Sequence, residues 1–336
     1  MNAVVPALGL AEDDVRGVLE AAALAPSLHN SQPWRFALHQ DRIELRFDPD
    51  RRLLATDPES RELRLSCGAA LVNLRLALQE LGIRPLVTLL PGQDAAGALA
   101  VIRRGGRFTS TDETRSLFKA VSARRTNRHP FSDSEVPVEH RQRLVRVTEV
   151  ERSWLHVVST REEKARLREL VQRAHLLQLA DAGTQAELLG WTGNRADAGH
   201  GVPPGSAGPV PEPQDEWALR DFSPGAPVAR PAGKDFEPDP FVVVLCSFYD
   251  GPLAELQAGQ ALQRLLLTAT TLGLSASFLS QVIEIRRARE DLRRLLGGSL
   301  FPQTVLRLGF GSPVPPTPRR PVEELVLAPC SAESGS

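Results

Sequence analysis

Residues 25–36 combine polar side chains with two prolines in a way that could bind a small ligand. Pro26 and Pro33 fix the backbone φ angle at two points and remove two amide donors, so the segment between them is a shaped loop. Its hydrogen-bonding side chains are those of Ser27, His29, Asn30 and Gln32. This set suits a neutral polar ring with carbonyl and N–H groups along its edge, and it does not suit a metal ion. A simpler interpretation is a turn in which Ser27 or Asn30 bonds its own backbone.

A second group of candidates is basic. Residues 124–131 contain three arginines next to a hydroxyl and an amide, namely Arg124, Arg125, Thr126, Asn127 and Arg128. Guanidinium groups are permanently charged and can donate two hydrogen bonds at once, so this cluster could bind a phosphate. Arg319 and Arg320, which lie between prolines, form another basic pair. Each cluster could equally be a solvated basic segment, and neither decides the question alone.

The composition excludes several classes of protein. The chain has 336 residues, of which 42% are hydrophobic and 24% charged, with a formal net charge of −1. These values are typical of a globular protein and argue against nucleic acid or an acidic membrane surface as the main partner. Cys67, Cys246 and Cys330 are widely spaced and show no metal-ligand pattern, which indicates a reducing compartment. With no signal-like or membrane-length segment, we expect a cytoplasmic protein.

Familiar catalytic motifs do not occur at useful places. No GxGxxG follows the first predicted strand, and the chain has no GxxxxGK[ST], HExxH or GxSxG. Ser27 and His29 could form a nucleophile–base pair, but nothing marks an aspartate partner. We therefore expect neither a side-chain nucleophile nor a metal centre.

Hydrophobic periodicity predicts the elements that position these residues. The predicted helices are 10–24, 67–81, 112–121, 138–147, 162–189, 257–272 and 287–295. The predicted strands are 34–38, 43–47, 86–90, 98–103, 154–159, 241–245 and 304–308, with 275–281 as strand or loop. Residues 192–239 are rich in proline and glycine without periodicity, yet they contain Trp217 and Phe222. This combination favours a partly ordered flap.

An internal repeat links two of the predicted helices. Six positions of the first helix match six positions of the second without gaps: Gly68, Ala70, Leu71, Leu74, Leu81 and Gly82 on Gly259, Ala261, Leu262, Leu265, Leu272 and Gly273. Two apolar helices can match by chance. Small residues at equivalent places nevertheless suggest that the helices pack closely, plausibly against each other across a pseudo-twofold axis.

These segments together resemble a known family. The loop at 25–36 resembles the APSxxNxQPWxF signature of FMN-dependent nitroreductase-like proteins, and residues 124–131 look like their RRSxRxF element with Thr126 in place of serine. Residues 259–274 resemble the central helix of that family. Arg319 and Arg320 match its C-terminal basic pair. In ordinary members the arginine element precedes the loop, whereas here the loop comes first. This arrangement is similar to the Acg branch, over nearly the whole chain.

The resemblance implies a fold and a domain organisation. We expect an α+β nitroreductase-like fold with two repeated halves, each with a mainly antiparallel sheet packed with helices, related by an intrachain pseudo-twofold axis. Residues 1–110 form the half with the APS loop. Residues 111–336 form the half with the arginine element and a lid at about 192–239. The chain would act as a monomeric pseudo-dimer with one composite site, and whether it pairs again stays open.

The resemblance also implies a function. NAD(P)H would reduce a bound FMN, leave, and be replaced by a small electron acceptor such as a nitroaromatic or a quinone. One alternative is a flavin-sequestering protein with a closed lid and no turnover; another is a binding scaffold without flavin. The implied cofactor-binding residues are Pro26, Ser27, His29, Asn30, Gln32, Arg124, Arg125, Asn127, Arg128, Ser277, Gln281, Arg319 and Arg320. Glu284 is a weaker candidate.

Overall fold

The computed structural model describes residues 2–193, 199–217, 220–222, 230 and 235–328. The helices in this part of the chain are α1 (Glu12–Ala23), α2 (Arg61–Glu80), α3 (Asp112–Ala123), α4 (Val138–Glu149), α5 (Arg161–Ala180), α6 (Ala182–Gly190), α7 (Pro204–Ala207), α8 (Pro252–Thr271), α9 (Gln281–Glu284), α10 (Arg286–Leu295) and α11 (Val322–Leu325). The strands are β1 (Trp34–Leu38), β2 (Arg42–Phe47), β3 (Ile83–Leu89), β4 (Ala100–Arg107), β5 (Trp154–Val158), β6 (Phe241–Ser247), β7 (Ser275–Phe278) and β8 (Phe301–Gly309).

The eight strands form two sheets with the same topology. The first sheet has the order β1-β2-β4-β3 and the second the order β5-β6-β8-β7. All neighbouring strands in both sheets are antiparallel. The predicted α+β class with two repeated antiparallel halves is therefore confirmed. The predicted boundary near residue 110 lies in the connection between β4 and α3.

Helices cover the central strands, as their sequences predict. Strand β6 is a continuous apolar run and is buried along residues 242–247 because it lies between β5 and β8 with side chains packed on both faces. Val243 and Leu245 point into one hydrophobic cluster with α8, whereas Val242 and Val244 point into another with α5. Because successive side chains of a strand point to opposite faces, β6 packs against α8 on one face of the sheet and against α5 on the other.

The two repeated helices cross each other at their matching glycines. A Cβ atom built on Gly68 would lie 3.0 Å from the Gly259 Cα atom, and a Cβ on Gly259 would lie 3.0 Å from the Gly68 Cα atom. The Cβ on Gly68 would also overlap the carbonyl oxygen of Leu256, and the Cβ on Gly259 would overlap the carbonyl oxygen of Leu65. The contact is reciprocal, so helices α2 and α8 pack backbone to backbone and only glycine fits at either position.

Polar pairs flank this crossing and fix its register. The Gln263 Nε2 atom donates a hydrogen bond of 2.7 Å to Asn73 Oδ1, with both side chains fully buried. Arg64 forms an ion pair with Glu255. Arg64 and Glu255 each stand four residues before the crossing glycine of their helix. Equivalent positions of the repeat therefore carry opposite charges that meet each other.

The structure corrects two of the predicted boundaries. Helix α2 begins at Arg61, six residues earlier than predicted, because the Asp57 carboxylate accepts hydrogen bonds from the backbone amides of Arg61 (2.8 Å) and Leu63 (2.9 Å). The predicted single helix 162–189 was wrong. It breaks at Asp181, whose side chain accepts a hydrogen bond of 2.7 Å from the Thr184 amide and caps α6 as a new helix.

The predicted flap is only partly within the described residues. Residues 194–198, 218–219, 223–229 and 231–234 lie outside them, as does Cys330. In the described part, Trp217 and Phe236 are buried against the second half. None of the described helices is both long and apolar enough to cross a membrane.

The helix crossing generates a stability prediction. Gly259→Ala should lower the free energy of unfolding by about 1–3 kcal/mol or more, because its Cβ overlaps backbone that has no side chain to move aside. Gly17→Ala is the matched control, since Gly17 is exposed in α1 and its Cβ would meet nothing within 4 Å. It should raise stability by roughly 0.5–1 kcal/mol. Urea unfolding of both variants measures the two effects, and equal stability of Gly259→Ala and wild type would contradict the close crossing.

Candidate functional site

A large cavity lies where the two halves meet. It encloses about 1240 Å³ of empty space, part of it open to solvent. The first half contributes residues 26–30 and one face of α2. The second half contributes residues 124–126 and Arg128, the segment 277–281 and Leu262 of α8, with parts of 202–222 and parts of the tail at 315–319. Both halves are therefore needed to form its walls.

The APS loop adopts a strained backbone at this cavity. His29, Asn30 and Gln32 have φ angles of 52°, 55° and 51°, a left-handed conformation that non-glycine residues rarely adopt. The Ser27 hydroxyl accepts a hydrogen bond of 2.9 Å from the backbone N–H of Gln32, and this bond joins the two ends of the loop. The turn interpretation is therefore correct for the Ser27 hydroxyl, although this residue also lines the cavity. Three strained residues within four positions require support from outside the loop.

That support comes from two distant segments. Asn30 Nδ2 donates hydrogen bonds of 3.0 Å to the carbonyl oxygens of Gly201 and of Pro318. Gln32 Nε2 donates a hydrogen bond of 2.8 Å to the carbonyl oxygen of Gly199. Gln32 Oε1 accepts a hydrogen bond of 2.9 Å from the backbone N–H of Arg320. The two side-chain amides therefore join the loop to the described start of the flap and to the C-terminal tail.

Three arginines at one end of the cavity lack carboxylate partners among the described residues. Arg124 is 5% exposed, and its Nε and Nη1 atoms are buried without a hydrogen-bond partner in that part of the chain. Burial lowers the pKa of Arg124 to about 10, with a further contribution from Arg125. Arg319 lies beside both, and burial together with their charges lowers its pKa to about 9. An anion bound at this end of the cavity would relieve the repulsion and complete the hydrogen bonds.

The other end contains a paired network. Arg220 binds the Glu284 carboxylate through two contacts of 3.2 Å and 2.6 Å. Burial opposes ionisation of Glu284, but this ion pair outweighs it and lowers the pKa of the carboxyl. The Arg128 guanidinium lies 4.2 Å from the ring centre of Phe222, and burial, with the charge of Arg220, lowers its pKa to about 10. His29 is 4% exposed here, and burial lowers its pKa to about 3, so the imidazole is neutral at physiological pH.

The arginine element is held in place by the second sheet. Thr126 forms a β-bridge with Ala276 of β7, and the Asn127 amide donates a hydrogen bond of 2.9 Å to the Ala276 carbonyl oxygen. The Asn127 side chain donates a hydrogen bond of 2.9 Å to the Ser312 carbonyl oxygen. These bonds fix the backbone between Arg124 and Arg128, so the two arginine side chains reach different ends of the cavity.

Comparisons with known proteins identify relatives that match nearly the whole chain. No family model matches the chain. It is 33% identical over 322 residues to the Mycobacterium tuberculosis protein named "Putative NAD(P)H nitroreductase acg", covering 93% of this chain and 95% of the relative. It is also 33% identical over 324 residues to "Putative NAD(P)H nitroreductase Rv3131" of the same organism, covering 94% of this chain and 92% of that relative. The chain belongs to the Acg family of nitroreductase-like proteins.

Solved structures overlap with this Acg-family chain only in part. A BluB-like flavoprotein from Clostridium difficile is 14% identical, with a TM-score of 0.39 over 64% of this chain and 98% of its own. A nitroreductase with bound FMN from Bacteroides fragilis is 13% identical, with a TM-score of 0.36 over 60% of this chain and 90% of its own.

The structure brings most of the predicted site residues of this Acg-family chain together. Ten of the thirteen line the cavity: Pro26, Ser27, His29, Asn30, Arg124, Arg125, Arg128, Ser277, Gln281 and Arg319. Gln32, Asn127 and Arg320 do not. Their side chains bond to other parts of the protein, and the Arg320 guanidinium pairs with Asp48 at 3.1 Å. They position the residues that do line the cavity.

Other lining residues were missed from the sequence. Arg220 and Phe222 lie in the aperiodic segment, where only the presence of aromatic residues suggested order. Glu62 and Ser66 precede the predicted start of helix α2, so their face could not be assigned. Arg307 lies in β8 and pairs with Glu237 at 2.8 Å beneath the flap. No periodic signal marks any of these positions as part of a site.

The unpaired arginines generate a binding prediction. FMN and riboflavin differ by one phosphate, so Arg124→Gln should weaken FMN binding roughly 10- to 100-fold, the effect of losing a charge-assisted bond of about 1.5–3 kcal/mol. Riboflavin affinity should change little. Arg103→Gln, at an exposed position of β4, is the control and should leave both affinities unchanged. Flavin fluorescence titration measures the four affinities. An equal loss for both ligands would show that Arg124 does not contact the phosphate.

Proposed function

We propose that this chain binds one FMN between its two halves and uses it as an NAD(P)H-dependent oxidoreductase. The observation that carries the proposal is the Arg124 guanidinium, whose Nε and Nη1 atoms have no hydrogen-bond partner within the described residues. It lies beside Arg125 and Arg319, at one end of a cavity with polar and apolar walls. A buried cluster of like charges without counter-ions is unfavourable by itself. Its presence is explained when a phosphate supplies the missing negative charge.

The residues of the cavity fit this cofactor. Arg124, Arg125 and Arg319 would bind the phosphate, as described above. The remaining walls present apolar and aromatic side chains for a planar ring, and these belong to Pro26, Leu65, Leu262, Phe278, Leu279, Trp217, Phe222 and Phe236. Ser27, Asn30 and the segment 277–281 offer polar groups for the sugar chain and the ring edge. When bound, the flavin accepts hydride and passes electrons on, which side chains cannot do.

The chain itself supplies electrostatics and shelter. Arg128 places positive charge at the end of the cavity away from Arg124, which favours a ligand that gains electrons, whereas Arg220 is paired with Glu284. Neutral His29 can exchange a hydrogen bond there without adding charge, and its Nδ1 atom has no partner within the described residues. Phe222 and Trp217 line the cavity from the flap and would shield a bound ring from water.

The single site follows from the fused architecture. We propose that residues 1–110 and 111–336 correspond to two subunits joined end to end, each providing what the other lacks. The opposite charges of Arg64 and Glu255 at equivalent positions support this, because identical subunits would place like charges there. A single chain is then a complete pseudo-dimer, whether or not it pairs again.

Ping-pong turnover requires that the flap admits two reactants in succession. NAD(P)H would bind and leave, and a small acceptor such as a nitroaromatic or a quinone would follow. The second candidate function is flavin storage. It is favoured by the ion pair between Arg220 of the flap and Glu284 at 2.6 Å, because this pair ties the flap to α9.

Anaerobic reduction separates the two functions. The FMN-loaded protein, mixed with NADH or NADPH under argon, should lose its visible flavin absorbance within seconds to minutes if it is an oxidoreductase. Light-driven reduction with a sacrificial donor is the control, since it bleaches any accessible bound flavin. Flavin that is bleached by light but by neither nicotinamide would support storage and contradict the enzyme.

A further inference from the structure

Glu62 is a buried carboxyl group in the wall of the cavity. Its residue is 8% exposed. Helix α2 turns the positions of Glu62, Leu65 and Ser66 to one face, since residues three and four apart are neighbours on a helix, and all three line the cavity. No hydrogen bond or ion pair reaches the Glu62 carboxyl from any residue that the structure describes.

The charges around Glu62 do not compensate it. The nearby cation, Arg61, is engaged elsewhere, with its Nη1 atom 2.8 Å from Glu255 and 2.7 Å from Asp250. Asp57, Glu255 and Glu284 add negative charge from the preceding loop, from α8 and from α9. Burial, followed by the field of these carboxylates, raises the pKa of Glu62 well above its usual range. An ionised carboxylate here would be buried and surrounded by like charge, so the neutral acid is favoured.

Glu62 also borders a second opening. A smaller crevice of about 370 Å³ contains Glu62 together with Thr56, Asp57 and Glu59. Arg286 and Arg289 also line this crevice, and both form ion pairs with Glu59, at 3.8 Å and 3.5 Å. Glu62 is therefore shared between the inner cavity and this outer crevice, and the crevice gives a path by which water can restore a proton. Asp57, whose pKa burial raises to about 6, also lines this crevice.

We propose that Glu62 is the proton donor of this site and delivers its carboxylic acid proton to the acceptor as that acceptor is reduced. The proposal depends on the oxidoreductase function above. With a quinone the balance is quinone plus NAD(P)H plus one proton to hydroquinone plus NAD(P)⁺. The reductant supplies hydride, with its two electrons, and the O–H bond of Glu62 breaks to supply the proton. The resulting carboxylate then regains a proton from water in the crevice.

The protonation of Glu62 can be tested on flavin-free protein. Glu62→Gln keeps the shape of the neutral acid and removes the titration. Between the ordinary glutamate pKa and the raised one, the folded wild type carries a proton that the unfolded chain has lost, so wild-type stability falls as pH rises. The melting temperature of Glu62→Gln relative to wild type should therefore climb by about 2 °C per pH unit from pH 5 to pH 7.

Infrared difference spectra give a second measurement that does not depend on turnover. At pH 7 the wild type should show the carbonyl stretch of a protonated carboxylic acid, and Glu62→Gln should lack it. Glu80→Gln, at the exposed far end of the same helix, is the matched control for both measurements and should behave as wild type. A Glu62→Gln protein without the pH trend and without the lost band would show that Glu62 is ionised, and this would overturn the proposal.

Stopped-flow oxidation of the FMN-loaded, pre-reduced protein tests the proton transfer itself. Glu62→Gln should slow oxidation by a quinone about 10²-fold or more, the usual contribution of a general acid. Oxidation by ferricyanide, which takes electrons without a proton, should be unchanged, as should reduction by NAD(P)H. Equal quinone rates in wild type and variant would overturn the role of Glu62. Failure of NAD(P)H to reduce the wild type would instead overturn the oxidoreductase function, while the two flavin-free measurements would still decide the protonation state.

Discussion

The backbone contact between Gly68 and Gly259 is the constraint on which the rest of the structure depends. It brings helices α2 and α8 so close that neither half can shift along the other without a clash. The carbonyl oxygen that an added Cβ on Gly259 would strike belongs to Leu65, and the Leu65 side chain lines the cavity. The crossing and the cavity therefore share a residue. Fixing the helices fixes the distance between the APS loop of one half and the arginine element of the other.

The cavity that results has an uneven distribution of charge. At one end Arg124 and Arg319 lack counter-ions within the described structure, and at the other Arg220 and Glu284 neutralise each other. Among the described residues, Glu62 has no cation to itself. Perturbed ionisable groups tend to cluster at functional sites. In the function proposed above, the three conditions would serve three tasks: binding an anion, closing the flap and supplying a proton.

Sequence reasoning predicted the parts of this arrangement that depend on local pattern. The continuous apolar run of β6 and the matching glycines of α2 and α8 indicated a buried strand and a close helix pair, and both occur. It could not predict interactions across hundreds of residues, such as the hydrogen bond of Gln32 to the Arg320 backbone. Glu62 was missed for a local reason: Asp57 starts helix α2 earlier than the apolar pattern does, and only that start places Glu62 on the cavity face.

The most direct test of the central claim, that two unlike halves of one chain form a single flavin site, is the stoichiometry of FMN binding measured together with molecular mass. Flavin titration of the flavin-free protein, with light scattering of the saturated sample, should give one FMN per chain whether the chain is monomeric or paired. Two FMN per chain would mean that each half carries its own site. Half an FMN per chain would mean that the site needs two chains, and either value would contradict the account.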